Sequence, residues 1–132
     1  MDVTTTRCII SCTGDPPDPR YAPLMADYTA QQVAELLTGG EVQLIDVRQA
    51  YEHEAGRIAG DRLIELMQLG AELDSIDPER PVILYCRSGA RSAMAAEALR
   101  GAGFDAHNML GGLLDWVAAD LPLDPPDGHV AD

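Results

Sequence analysis

The residues best equipped for chemistry are a cysteine and two arginines crowded into one short stretch, Cys86-Arg87-Ser88-Gly89-Ala90-Arg91-Ser92. A loop that closes back on its own first side chain turns its backbone N–H groups inward, and Gly89 relieves the steric cost of the φ values this demands. Such a nest binds an anion. Arg87 and Arg91 add two permanent charges, and a helix beginning near Ser92 adds the positive end of its macrodipole. There a thiolate is favoured over a thiol, and the free-cysteine pKa of about 8.5 is expected to fall. Cys86 then reads as a nucleophile at neutral pH. By default a cysteine closing a core strand is only a small hydrophobe. A packing role, however, needs neither Gly89 nor arginines on both sides of it.

The loop must be held by what flanks it. Val82-Ile83-Leu84-Tyr85, bounded by Pro81, reads as a short buried strand ending at Cys86. From Ser92 the run Ala93 to Arg100 is strongly helix-forming and stops at Gly101 and Gly103. Upstream, Thr29 and Gln32 fit a capping box for a helix bearing Val33, Leu36 and Leu37, which Gly39-Gly40 ends. Val42 to Val47 follows as a strand buried on both faces, as in a parallel sheet. Ligands gather outside the carboxyl ends of such strands, which places Asp46 and Arg48 near the mouth of the Cys86 loop, with Glu52 or Glu54 as partner for Arg48.

Further along, Arg62 to Leu66 is expected as a strand and Met67 to Leu73 as a helix, before the turn Asp77-Pro78-Glu79-Arg80-Pro81. Ala106 to Leu110 is the last strand, its His107 a satisfied or surface histidine. Gly111-Gly112 leads into a helix anchored by Trp116. Pro122, Pro125 and Pro126 end the regular structure, and residues 127–132 read as a frayed acidic tail. Strands alternating with helices predict an α/β fold, a three-layer α/β/α domain around a central, mainly parallel sheet.

Composition narrows the partners. Nine arginines with no lysine stand against 22 acidic residues, a net charge of −13 over 132 residues, so phosphate backbones and anionic membranes should repel the chain. Neither nucleic acid nor membrane is an expected partner. Cys8, Cys12 and Cys86 are too few and too odd for a disulfide framework. Without an ordinary signal peptide at the N-terminus, a reducing cytoplasm is expected. Cys8 and Cys12, spaced C-x3-C, lack further ligands at metal spacing, since His53, His107 and His129 are scattered; no metal site is expected.

Three motifs in order resemble one known family. Cys86-Arg87-Ser88-Gly89-Ala90-Arg91-Ser92 is similar to the active-site loop of the rhodanese (sulfurtransferase) family, written C-R-x-G-x-R-S. Leu44-Ile45-Asp46-Val47-Arg48 resembles its L-I-D-V-R, and Leu110-Gly111-Gly112-Leu113-Leu114-Asp115-Trp116 its L-x-G-G-x-x-x-W. The resemblance covers residues 27–124, leaving 1–26 as an N-terminal extension and 125–132 as a tail, and with one copy of the loop it is to a single-domain member. It implies that Cys86 carries a persulfide, that Arg87, Ser88, Gly89, Ala90, Arg91 and Ser92 bind the sulfur, and that Asp46 and Arg48 brace neighbouring loops. Sulfur would pass from a small anionic donor such as thiosulfate to cyanide, a thiol or a protein acceptor, with no cofactor. Gly56-Arg57-Ile58-Ala59-Gly60-Asp61 departs from the family's G-H-I-P-G-A, and Arg57 is expected to bias the site toward an anionic donor. Two rival readings stand beside this one. A persulfide carrier or protein-binding module keeps the fold without strong turnover. A phosphatase or arsenate reductase of related fold uses C-x5-R, whereas Cys86 to Arg91 is C-x4-R, a smaller nest.

Overall fold

The computed structural model describes residues 27–131; the readings for residues 1–26, including Cys8 and Cys12, lie outside the described residues. Four short strands form a parallel sheet of order β2-β1-β3-β4: β1 is Gln43–Asp46, β2 Arg62–Leu63, β3 Val82–Tyr85 and β4 Ala106–Asn108. β3 lies between β1 and β4, with Asp46 opposite Tyr85 and Leu84 opposite Asn108. Its four residues are all buried, as an apolar strand covered on both faces must be.

Alternation along that strand builds the layers. Val82, Leu84 and Cys86 face one apolar cluster, where helix α3 (Ala90–Gly101) contributes Ala95, Ala96 and Leu99 and a 3₁₀ segment (Leu66–Ser75) contributes Leu69. Ile83 and Tyr85 face the other, with Val33 of helix α1 (Ala30–Gly39) and Leu113 and Trp116 of helix α4 (Gly112–Ala118). Each fully buried aliphatic of β3 is worth roughly 1.5–3 kcal/mol of transfer free energy. Cys86 is placed by its neighbours' packing as much as by its own bonds.

The Thr29 capping box is present, Gln32 N–H donating to Thr29 Oγ1 at 3.2 Å and Thr29 N–H to Gln32 Oε1 at 2.9 Å, and Gly40 closes the helix. Three expectations change. The strand expected over 62–66 pairs only at Arg62–Leu63, after which Ile64 and Leu66 donate to Asp46 and Val47 carbonyls and the chain winds up as a ten-residue 3₁₀ segment. Gly70 at its centre weakens an α-helix, and Leu66, Leu69, Leu73 and Ile76 keep the segment against the core. Helix α3 begins at Ala90, two residues before Ser92, which brings its first N–H groups onto the loop. Of the stretch expected to fray, the described residues 127–131 fold back on the domain: just before it Arg57 and Asp124 exchange backbone hydrogen bonds (3.1 and 2.7 Å), His129 N–H donates to Ala55 O at 2.9 Å, and Val130 joins a core cluster. Pairing between residues some 70 apart leaves no mark on local composition.

Candidate active site

Cys86 sits where β3 ends, 1% exposed. Gly89 then takes φ +104°, a conformation that L side chains resist, and its N–H turns back to Cys86 Sγ at 3.0 Å. Ser92, in the first turn of α3, places Oγ 3.4 Å from the same sulfur. Burial pushes the thiol pKa up, but the Ser92 hydroxyl and the N–H groups of Ser92, Gly89 and Ser88 more than offset it, and the net direction is down. Ser88 and Ala90 form the loop's exposed outer edge, and Arg87 is half-buried.

The outside of the loop is held by α4. Leu113 N–H donates to Cys86 O at 2.8 Å and Leu114 N–H to Arg87 O at 3.0 Å. So close an approach requires Gly112, at φ +61°, where a Cβ would stand 2.5 Å from both carbonyl oxygens. The Gly-Gly that sequence marks as a helix start is therefore a docking surface for the loop itself.

Asn108, to which the sequence reading gave no role, and Glu52, expected beside Arg48, complete the cage. Asn108, at the end of β4, holds the Ser92 hydroxyl oxygen through its side-chain amide at 2.5 Å. Its signal in the sequence was only a polar residue inside a buried strand. Helix α2 (Ala50–Ala55) supplies Glu52, 2% exposed, whose carboxylate takes Arg91 in a bidentate pair at 2.9 and 3.0 Å. That hydrogen-bonded guanidinium holds the Glu52 carboxyl below its ordinary value, and Glu52 holds Arg91 above its own.

The expectation that Glu52 or Glu54 pairs with Arg48 is thereby corrected. Arg48 instead grips Asp46, Nη2 to Oδ2 at 2.8 Å and Nε to Oδ1 at 2.9 Å, and donates to Gly56 O at 2.8 Å. Both members are fully buried, beside Tyr85 at the end of β3. An internal clamp of this kind ties the end of β1 to the end of α2, which fixes Glu52 opposite Arg91. The Arg48 guanidinium also lies over the Tyr85 ring, 5.5 Å from its centroid.

Arg57 points elsewhere. Its guanidinium meets Asp124 Oδ2 at 3.6 Å and the His53 carbonyl at 3.1 Å, so its contacts brace the C-terminal segment. Asp61, another residue of that turn that departs from the family pattern, accepts from Tyr85 OH at 2.6 Å and meets His53 Nε2 at 3.1 Å; burial pushes its carboxyl pKa up. Asp46, His53 and Asp61 lie close enough to consider a shared cation. Asp46 is already taken by Arg48, and Asp61 by Tyr85 and His53, so the donor set does not fit a metal. His107 is buried beside Tyr28 and meets Asp105 at 2.7 Å, as a satisfied histidine.

Taken together, the loop can stabilise one anionic sulfur by backbone N–H groups while a neutralised arginine, Arg91, fixes its shape. The family model described as "Rhodanese-like domain" matches residues 29–119. The uncharacterized protein YqhL of Bacillus subtilis is 39% identical over 102 residues, 70% of this chain and 81% of that protein. A sulfurtransferase of Allochromatium vinosum is 33% identical over 89 residues, 67% of this chain and 83% of its own. An HTH-type transcriptional regulator of Mycobacterium tuberculosis is also 39% identical, yet the chain spans only 46% of its length. The crystal structure of a rhodanese-like domain protein from Staphylococcus aureus matches with TM-score 0.66 and 31% identity, over 70% of this chain and 91% of the other. Among the described residues no helix is long and apolar enough to cross a membrane.

Proposed function

The chain belongs to the rhodanese-like domain family, and from that premise we propose that it moves sulfane sulfur from a small anionic donor to a thiophilic acceptor through a persulfide on Cys86. One observation carries the reading: N–H groups converge on Cys86 Sγ, that of Gly89 at 3.0 Å, and lower the thiol pKa in spite of burial.

The Cys86 thiolate attacks the terminal sulfur of thiosulfate. A new S–S bond forms, the old one breaks, and sulfite leaves with the bonding pair. The Cys86 persulfide keeps a single negative charge, which the N–H groups of the loop hold. An acceptor such as cyanide then attacks the terminal sulfur, and the electron pair of the breaking bond returns to Cys86 as thiolate. Both steps balance without oxidant or cofactor. Arg87 at the loop draws the anionic donor, and a C-x4-R loop, one residue shorter than the C-x5-R of phosphatases, suits a single sulfur better than a tetrahedral phosphate. A free thiolate of this kind operates in a reducing cytoplasm.

Intact-protein mass spectrometry after thiosulfate treatment tests the assignment. One added sulfur is expected on the wild-type chain, lost on cyanide addition, and none on Cys86→Ser. Sulfur retained by the Cys86→Ser variant, or faster turnover of an aryl phosphate than of thiosulfate, would overturn it. Loading without cyanide turnover would mark a persulfide carrier.

A further inference from the structure

The large apolar side chains that remain exposed are not scattered. Of the six among the described residues, Tyr51, Met67, Met94, Leu110 and Leu114 all lie on connections or within the first two helical turns at the carboxyl end of the sheet, the end that carries Cys86. Hydrogen bonds tie four of these neighbourhoods to the loop or to the strand ends beside it. Tyr51 precedes Glu52, which grips Arg91. Leu66 N–H, next to Met67, donates to Val47 O beyond β1. Met94 follows Ala93, whose N–H donates to Gly89 O, and Leu114 N–H itself donates to Arg87 O. Met67 and Met94 are 93% and 62% exposed. By contrast, the connections at the opposite end of the sheet carry none of the six and instead bear Glu41, Asp77, Glu79, Arg80 and Asp105.

An apolar collar has no use for a small anion such as thiosulfate, which is bound by charge. It suits a surface that buries carbon around the sulfur. Outside the collar stand exposed acids on the same helices: Glu54 one turn beyond Tyr51, Glu97 one turn beyond Met94, and Asp115 next to Leu114. The chain as a whole carries a charge of −13. A second copy would bring an identical acidic ring against this one, and an anionic membrane would be repelled.

We propose that this collar docks a basic protein acceptor, one that presents a cysteine between apolar residues with lysine or arginine beyond them. The inference rests on the sulfurtransferase reading above and names the acceptor class for that site. The step balances: the acceptor thiolate attacks the terminal sulfur of the Cys86 persulfide, the S–S bond breaks, its electron pair returns to Cys86, and the acceptor leaves as a persulfide.

The probes are two synthetic peptides with one cysteine flanked by leucine and methionine, one carrying lysine and arginine outside these and the other aspartate and glutamate. Sulfur transfer from thiosulfate-loaded protein, read by mass, should be about tenfold or more faster to the basic peptide, a difference of about 1.4 kcal/mol. Met67→Gln with Met94→Gln should slow that transfer about tenfold and leave cyanide turnover within about twofold; Glu54→Gln with Glu97→Gln should erase the preference between peptides. Equal rates for the two peptides, or rates untouched by the methionine changes, would overturn the proposal. Binding of the cysteine-to-serine basic peptide to unloaded protein, read by anisotropy, separates the two readings. If thiosulfate adds no sulfur to Cys86 the transfer reading fails, while binding that the methionine changes weaken still supports the collar and binding they leave alone refutes it. A concentration-dependent dimer that the methionine changes disperse would also overturn it, in favour of self-association.

Discussion

Replacing Gly112 with alanine tests how far the loop depends on α4. Residue 112 holds φ +61°, which costs an L residue roughly 1–2 kcal/mol. The new Cβ would stand 2.5 Å from the carbonyl oxygens of Cys86 and Arg87, both backbone atoms that cannot swing aside. An ordinary carbon–oxygen contact is about 3.3 Å or longer, so the start of α4 must retreat. That retreat stretches the bonds from Leu113 N–H to Cys86 O and from Leu114 N–H to Arg87 O, now 2.8 and 3.0 Å. Each buried carbonyl so stranded costs about 1–3 kcal/mol. With the backbone strain, a loss of about 3–8 kcal/mol is expected, a large part of the 5–15 kcal/mol typical of a domain. Urea denaturation measures it, and persulfide loading by thiosulfate should slow about tenfold or more as the ring of N–H groups loosens. A loss below about 1 kcal/mol with loading at the wild-type rate would refute the claim that α4 holds the loop.

Two further changes separate the charges around the sulfur. Ser92→Ala removes the hydroxyl that lies 3.4 Å from Cys86 Sγ; the midpoint of the pH profile for iodoacetamide alkylation should climb toward the ordinary thiol value near about 8.5, slowing the reaction at pH about 6.5 and leaving it nearly unchanged at pH about 9. Because the native thiol pKa is depressed, its contribution to stability is fully present above the unfolded thiol value and is lost as pH falls through the native one. Glu52→Gln breaks the bidentate pair with Arg91 and should cost about 1–3 kcal/mol at neutral pH by thermal or urea unfolding. The Glu52 carboxyl is held low, so the wild-type advantage is complete above the ordinary glutamate value of about 4.3 and should vanish as pH falls through the depressed one. An advantage that persists in acid would show that the pair does not act through charge.

Much of the site was legible because it is local. Val82 to Tyr85, the glycine at 89 and the helix-forming run after it are consecutive, and their sterics alone dictate a strand, a left-handed turn and a helix start with N–H groups facing back toward Cys86. Thr29 and Gln32 announce their helix for the same reason, since both bonds of the capping box close within one turn. The 3₁₀ winding of Leu66–Ser75 was not legible in that way, because its apolar spacing also suits an α-helix and packing chose between them.

Which charges meet belongs to the tertiary structure. In sequence Arg48 has acids at 46, 52 and 54 within reach, and Arg91 has none; in the fold the clamp of Arg48 on Asp46 frees Glu52 for Arg91, 39 positions away. Asn108 reaches Ser92 only because β4 pairs beside β3, and residues 124–130 are held only because they fold back on Ala55 and Arg57. Local sterics and periodicity act over a few residues and are written in the order of the chain. Ion pairs, buried hydrogen bonds and close backbone approach depend on distances in space, and only packing around the sheet decides those.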